Sequence, residues 1–124
     1  MTKIYKILNK KTKEIMYIGS TKQSLTQRFT QHIKDKKNIK KHSYFLKNEC
    51  EIDLIAEVSD SQRYIVECQE IIKHKTYEKL NKNLPAETYE AKLVILSKLT
   101  KECKQIIKND KEVKDFELPD NLFN

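Results

Sequence analysis

The stretch Glu14-Ile15-Met16-Tyr17-Ile18-Gly19-Ser20-Thr21-Lys22-Gln23-Ser24-Leu25-Thr26-Gln27-Arg28-Phe29-Thr30-Gln31-His32 is where a strand-like pattern gives way to a helical one. Residues 14–19 are rich in β-branched and aromatic side chains, as are residues 3–8, Lys3-Ile4-Tyr5-Lys6-Ile7-Leu8. The polar run Asn9-Lys10-Lys11-Thr12-Lys13 separates them, so the pair reads as a β-hairpin. With a symmetric loop, Tyr5 lies opposite Tyr17 and two phenols share one face of the sheet. That pairing depends on register, because a slip of one residue sends the two rings to opposite faces.

Beyond Gly19, Ser24-Leu25-Thr26-Gln27 has the form of a capping box, whose hydroxyl and amide satisfy each other's backbone donors. It predicts a helix running to about Lys36, with Leu25, Phe29 and Ile33 as its apolar stripe. Arg28 and His32, four apart, lie on one margin of that stripe and point sideways into a cleft. The same segment holds the two compositional rarities. Gly19 is the only glycine, and Arg28 is one of two arginines among 23 lysines. Glycine permits positive φ and close backbone approach, and arginine offers a planar fork of donors matched to phosphate oxygens. The segment points to phosphate chemistry on these grounds alone.

Downstream, a second helix is expected near residues 40–47 and a third strand over residues 52–58, Ile52-Asp53-Leu54-Ile55-Ala56-Glu57-Val58. Ser59, Asp60, Ser61 and Gln62 offer a helix start, after which Tyr64, Ile65, Cys68, Ile71 and Ile72 trace a stripe at helical spacing. At about 100° per residue, Glu67 falls on the margin of that stripe and can line a cleft, whereas Glu70 faces solvent. Residues 81–84 before Pro85 make a break. Residues 87–109 then carry Tyr89, Leu93, Leu96, Leu99, Cys103 and Ile106 at helical intervals, and residues 115–124 show no period. The chain divides accordingly into a domain over residues 1–83, a helical extension packed on it over 84–114, and an irregular tail over 115–124.

At 124 residues one domain is the expectation. Charged residues are 35% of the chain and hydrophobic ones 38%, with clear apolar periodicity, so the chain should fold. No apolar run reaches membrane-spanning length and the N-terminus lacks the apolar core of a signal peptide, which reads as a soluble intracellular protein without a membrane partner. Cys50, Cys68 and Cys103 are odd in number and widely spaced, as reduced thiols rather than a disulfide framework or zinc cluster. The net charge of +7 is segregated: residues 1–48 hold 13 Lys and Arg against 2 acids, while residues 49–124 hold 12 against 16. Such asymmetry favours a polyanion contacted by the N-terminal half, nucleic acid ahead of membrane.

Taken together, Ile4-Tyr5, then Tyr17-Ile18-Gly19 after a short hairpin, then Thr21, Leu25, Arg28 and His32, with Glu67 and Leu80-Asn81 downstream, resemble the GIY-YIG nuclease family. The resemblance covers about residues 3–82. Lys3 stands where the first motif usually has glycine, and Lys13 occupies a turn where the family often places one.

The resemblance implies a small α/β (α+β) domain, a three-stranded antiparallel sheet flanked by helices, that cuts phosphodiester bonds of DNA with one divalent metal, Mg2+ or Mn2+. By position, Tyr5 would act as general base or help deprotonate the attacking water, and Tyr17 would position water or phosphate. Arg28 would bind phosphate oxygens with His32 assisting, Glu67 would be the metal ligand, and Asn81 would close the site. Gly19, Thr21 and Lys22 at the strand end would line the substrate. Residues 34–42 form a solvated basic face that supplies Lys36, Lys37, Lys40, Lys41 and His42 as candidate phosphate contacts. Two rival readings keep the fold without the reaction: a non-catalytic nucleic-acid-binding module, and an assembly protein that meets a partner or a second copy through its C-terminal helix.

Overall fold

The computed structural model describes residues 1–81, 85 and 89–109, the side chain of Tyr89 excepted. The expected boundary near residue 83 and the tail from residue 115 therefore lie outside the described residues. Strands β1 (Thr2–Asn9) and β2 (Ile15–Thr21) form the hairpin, followed by helices α1 (Leu25–Lys34) and α2 (Ile39–Lys47), strand β3 (Cys50–Val58) and helix α3 (Arg63–Lys73). Helices α4 (Tyr89–Ser97) and α5 (Lys101–Asn109) complete the chain. The sheet is antiparallel with order β2-β1-β3. This is the α+β layout expected from the sequence.

Asn9 builds the hairpin turn, its Oδ1 accepting from the backbone N–H groups of Lys11 and Thr12 at 2.9 and 3.0 Å. Lys13 then sits in the left-handed region at φ 64°, which costs a non-glycine residue about 1–2 kcal/mol. The turn is not symmetric, and the register differs from expectation. Tyr5 pairs with Gly19 and Ile7 with Tyr17, with an irregularity after Ile7 that brings Leu8 to Ile15. Relative to the expected pairing the slide is two residues, and side chains alternate with period two, so both phenols keep the same face. Their ring centroids are 6.4 Å apart.

The two faces of the sheet are covered by different helices. On one face, Ile4 and Ile18 join Cys68, Ile71 and Ile72 of α3, Ile95 and Leu96 of α4, Leu99, and Cys103 and Ile107 of α5 in one apolar cluster. On the other, α1 and α2 pack together through Phe29 and Phe45, 6.4 Å apart edge to face. Asn9 Nδ2 ties the hairpin to α2 by donating to the Tyr44 hydroxyl at 2.9 Å.

Helix α1 carries the expected capping box, but its buried residue is His32, and Ile33 of the expected stripe is 47% exposed. The sheet face beneath α1 presents phenol oxygens, which need polar partners when buried, so the helix is rolled toward its polar margin. Glu70 is half-buried and pairs with His74 Nε2 at 3.2 Å rather than facing solvent alone. Where apolar residues recur at helical intervals from Tyr89 to Ile106, the chain forms two helices, α4 and α5. Thr100 Oγ1 accepts from the backbone N–H of Cys103 at 3.2 Å and opens α5, and the break turns Leu96, Cys103 and Ile107 toward the same core. The cysteines are free, with Cys68 and Cys103 buried. Among the described residues, no helix is long and apolar enough to cross a membrane.

Candidate active site

Tyr5, at the centre of the sheet, is fully buried. Its cross-strand neighbour is Gly19, where an added Cβ would lie within 2.6 Å of Tyr5 Cζ and 3.0 Å of Tyr17 Cε1, and nearer still to the Tyr5 hydroxyl. Gly19 therefore serves close approach. It does not end the strand, which continues to Thr21, and it has no positive φ. The phenol ring occupies the space a side chain would fill.

The Tyr5 hydroxyl is the meeting point of the α1 margin. His32 Nε2 lies 2.6 Å from it, and Arg28 Nε donates to it at 3.2 Å. Tyr17 packs edge-on against the imidazole with centroids 4.8 Å apart. Helix geometry explains the arrangement, since residues four apart share a face and both point at one strand position. Burial raises the Tyr5 and Tyr17 phenols above the ordinary tyrosine range, and the Arg28 guanidinium opposes this at both. Burial, reinforced by the charges of Lys41 and Arg28, pushes His32 down to about 3, so the ring is neutral at pH 7.

Glu67 is buried on α3, as its marginal position suggested. Its Oε2 accepts from the Ser20 hydroxyl at 3.2 Å, and Ser20 Oγ in turn accepts from Arg63 Nε at 2.7 Å. Burial pushes its carboxyl up to about 7, against the Ser20 hydrogen bond and the charges of Arg63 and Arg28. The same carboxylate raises both phenols, which couples α3 electrostatically to the α1 margin.

The remaining candidates separate into four groups. Lys36, Lys37 and Lys40 are exposed, and His42 is half-buried. Lys41 differs from its neighbours: it is buried, with Nζ 2.9 Å from His32 Nδ1, 3.6 Å from Asp35 and 5.1 Å above the Tyr17 ring. Thr21 and Asn81 are engaged with the backbone. Thr21 Oγ1 accepts from Gln23 N at 3.0 Å, while the Asn81 amide accepts from Ile18 N at 2.8 Å and donates to Ile18 O at 2.9 Å. Asn81 thus finishes the outer edge of β2 as a strand would. Lys22 is exposed and paired with Asp60 at 2.7 Å.

Ser20 and Arg63 escaped the sequence reading. A signal for Arg63 existed: the scarcity that singled out Arg28 applies equally to the second arginine, which stands four residues before Glu67 on one helix. Ser20 offered none, because its role depends on α3 crossing β2.

The model of the GIY-YIG catalytic domain matches residues 1–90, and the chain belongs to this family of nuclease-type domains. Neither the curated proteins nor the solved structures contain a match to it.

Proposed function

We propose that the protein is a metal-dependent endonuclease that hydrolyses phosphodiester bonds of DNA. The observation that carries this reading is the buried Tyr5 hydroxyl, to which Arg28 Nε donates at 3.2 Å and beside which His32 Nε2 lies at 2.6 Å. A buried phenol oxygen that accepts from a guanidinium has a cation beside it that favours its charged form when it gives up its proton.

Hydrolysis forms a P–O bond to water, breaks a P–O bond to a sugar oxygen, and moves a proton from the water. Burial keeps the Tyr5 phenol protonated at rest, with Arg28 opposing that cost, so Tyr5 takes the water's proton only as its own O–H proton passes to solvent, and the departing sugar oxygen is protonated from solvent. The guanidinium of Arg28, which also bonds Gln31 Oε1 through its NH1 at 3.1 Å, turns its remaining donor edge to the phosphate oxygens as charge builds on them. Tyr17 orients the water or phosphate beside it.

Glu67 is the candidate metal ligand. Among the described residues no three His, Cys, Asp or Glu side chains cluster as a metal cage. A single buried carboxylate nevertheless fits magnesium or manganese, hard cations that keep several waters and complete their shell with substrate phosphate. When bound, the ion supplies Lewis-acid polarisation of the phosphate and acidifies adjacent water. Ser20 and Arg63 hold the carboxylate in place. The exposed lysines 36, 37 and 40 contact the DNA backbone.

The assembly reading has less support: Ile95 and Leu96 of α4, Leu99, and Cys103 and Ile107 of α5 pack in the chain's own core, leaving Val94 of α4 exposed.

Nicking of supercoiled plasmid in magnesium tests the proposal. Glu67→Gln should slow it about a thousandfold, and chelator should abolish it. Nicking that survives either change overturns the metal role of Glu67. Wild-type protein that binds DNA with a steep loss of affinity in salt yet never cuts it returns the chain to a binding module.

A further inference from the structure

We propose that Lys41 is a positioning residue that fixes the tautomer of His32, so that the imidazole donates its single proton from Nε2 to the Tyr5 oxygen. The argument starts from donor counting. A neutral imidazole has one N–H and one bare nitrogen. Both ring nitrogens of His32 are engaged, Nδ1 with Lys41 Nζ at 2.9 Å and Nε2 with Tyr5 Oη at 2.6 Å.

An ammonium can only donate. Burial and Arg28 press against the Lys41 charge, and the Asp35 carboxylate 3.6 Å away and the Tyr17 ring face 5.1 Å below it hold the ammonium form. Its proton therefore occupies the Nδ1 lone pair, and the imidazole proton resides on Nε2. The groups that face His32 come from every element packed against it. Tyr5 comes from β1, Tyr17 from β2, Arg28 from its own helix and Lys41 from α2; burial and the two cations disfavour a second proton on the ring and outweigh Asp35 of the following turn, which favours it.

The consequence reaches Tyr5. With His32 and Arg28 both donating, the phenol oxygen has its two acceptor positions filled, and its own proton is directed to an acceptor outside this set. His32 then cannot serve as the base that deprotonates Tyr5. It acts as a fixed dipole that stabilises the deprotonated phenol. Without the ammonium, the tautomer is free to invert, Nε2 becomes an acceptor, and the Tyr5 hydroxyl turns from the cleft to bond it. This assigns Lys41 a role unlike that of Lys36, Lys37 and Lys40, its exposed neighbours. The catalytic consequence rests on the nuclease reading; the tautomer does not.

Nitrogen-15 NMR of the ring nitrogens at neutral pH reads the tautomer directly. Wild-type protein should show His32 protonated at Nε2 with a bare Nδ1, and a wild-type signal protonated at Nδ1 overturns the proposal with no variant needed. Lys41→Met, which keeps the stem and removes the donors, should give an Nδ1–H or mixed ring; an unchanged ring in this variant also overturns it. In plasmid nicking the same variant should lower kcat by about a hundredfold with KM changed less than about twofold. A raised KM at unchanged kcat makes Lys41 a substrate contact and sinks the positioning role. Absence of nicking by wild type refutes the nuclease reading, while NMR still decides the tautomer.

Discussion

Ile4 and Tyr5 are neighbours on β1, both fully buried, and they face different interiors. Ile4 enters the apolar cluster beneath α3, α4 and α5. Tyr5 enters a pocket of donors and charges beneath α1 and α2. The apolar side gains from area removed from water and is indifferent to orientation. The polar side must satisfy each buried atom and supports only specific geometries. One sheet therefore carries a face whose apolar cluster stabilises the domain, with the Glu67 carboxylate bonded to Ser20 of β2 beside it, and a face beneath α1 that holds the phenols and His32 at perturbed protonation. Changes to the first should cost stability, and changes to the second should cost chemistry or alter pH dependence.

The largest break in stability is expected from Leu96→Ala, which opens a cavity in the fully buried cluster. It should lower the unfolding free energy by about 3–4 kcal/mol in urea titration, with nicking per folded molecule unchanged. An equal loss of specific activity would mean the two faces are not separable.

Next comes pH. His32 has a folded pKa near 3, below its unfolded value of 6.5, so the native state binds fewer protons than the unfolded state between those limits. Its contribution is complete above about pH 6.5 and is lost as pH falls through that window toward 3. Comparing wild type with His32→Gln across pH 7 to 3.5 should show the steeper acid loss in wild type; parallel curves would place the imidazole in a solvent-like environment.

The smallest stability effect is assigned to Gly19→Ala. A Cβ within 2.6 Å of Tyr5 Cζ forces the ring to move, at a cost of about 2 kcal/mol. Nicking should fall at least tenfold, because the Tyr5 hydroxyl leaves its two donors. Retained activity would show that the close approach is dispensable.

Legibility in the sequence followed the range of the interactions. The capping box of α1 joins residues three apart, and it is present as read. The shared face of Tyr5 and Tyr17 survived a misjudged register because the error was an even number of residues. The break at Thr100 was locally encoded, but the apolar spacing on both sides of it masked the cap. Lys41 was indistinguishable from its lysine-rich neighbours in composition, and only the approach of α2 to α1 separates it from them.

What the sequence by itself determined is the family, the hairpin and the helix that follows it, and the identity of the four side chains that meet between the sheet and α1: Tyr5, Tyr17, Arg28 and His32. Those features are carried by local backbone preference and by spacing along one element. Tertiary structure alone decided which side chains complete them. The Ser20 to Glu67 bond spans 47 residues of sequence, Asn81 reaches Ile18 across 63, and Lys41 meets His32 by the packing of two helices. No periodicity encodes such distances, because they are fixed by how elements cross rather than by how residues repeat.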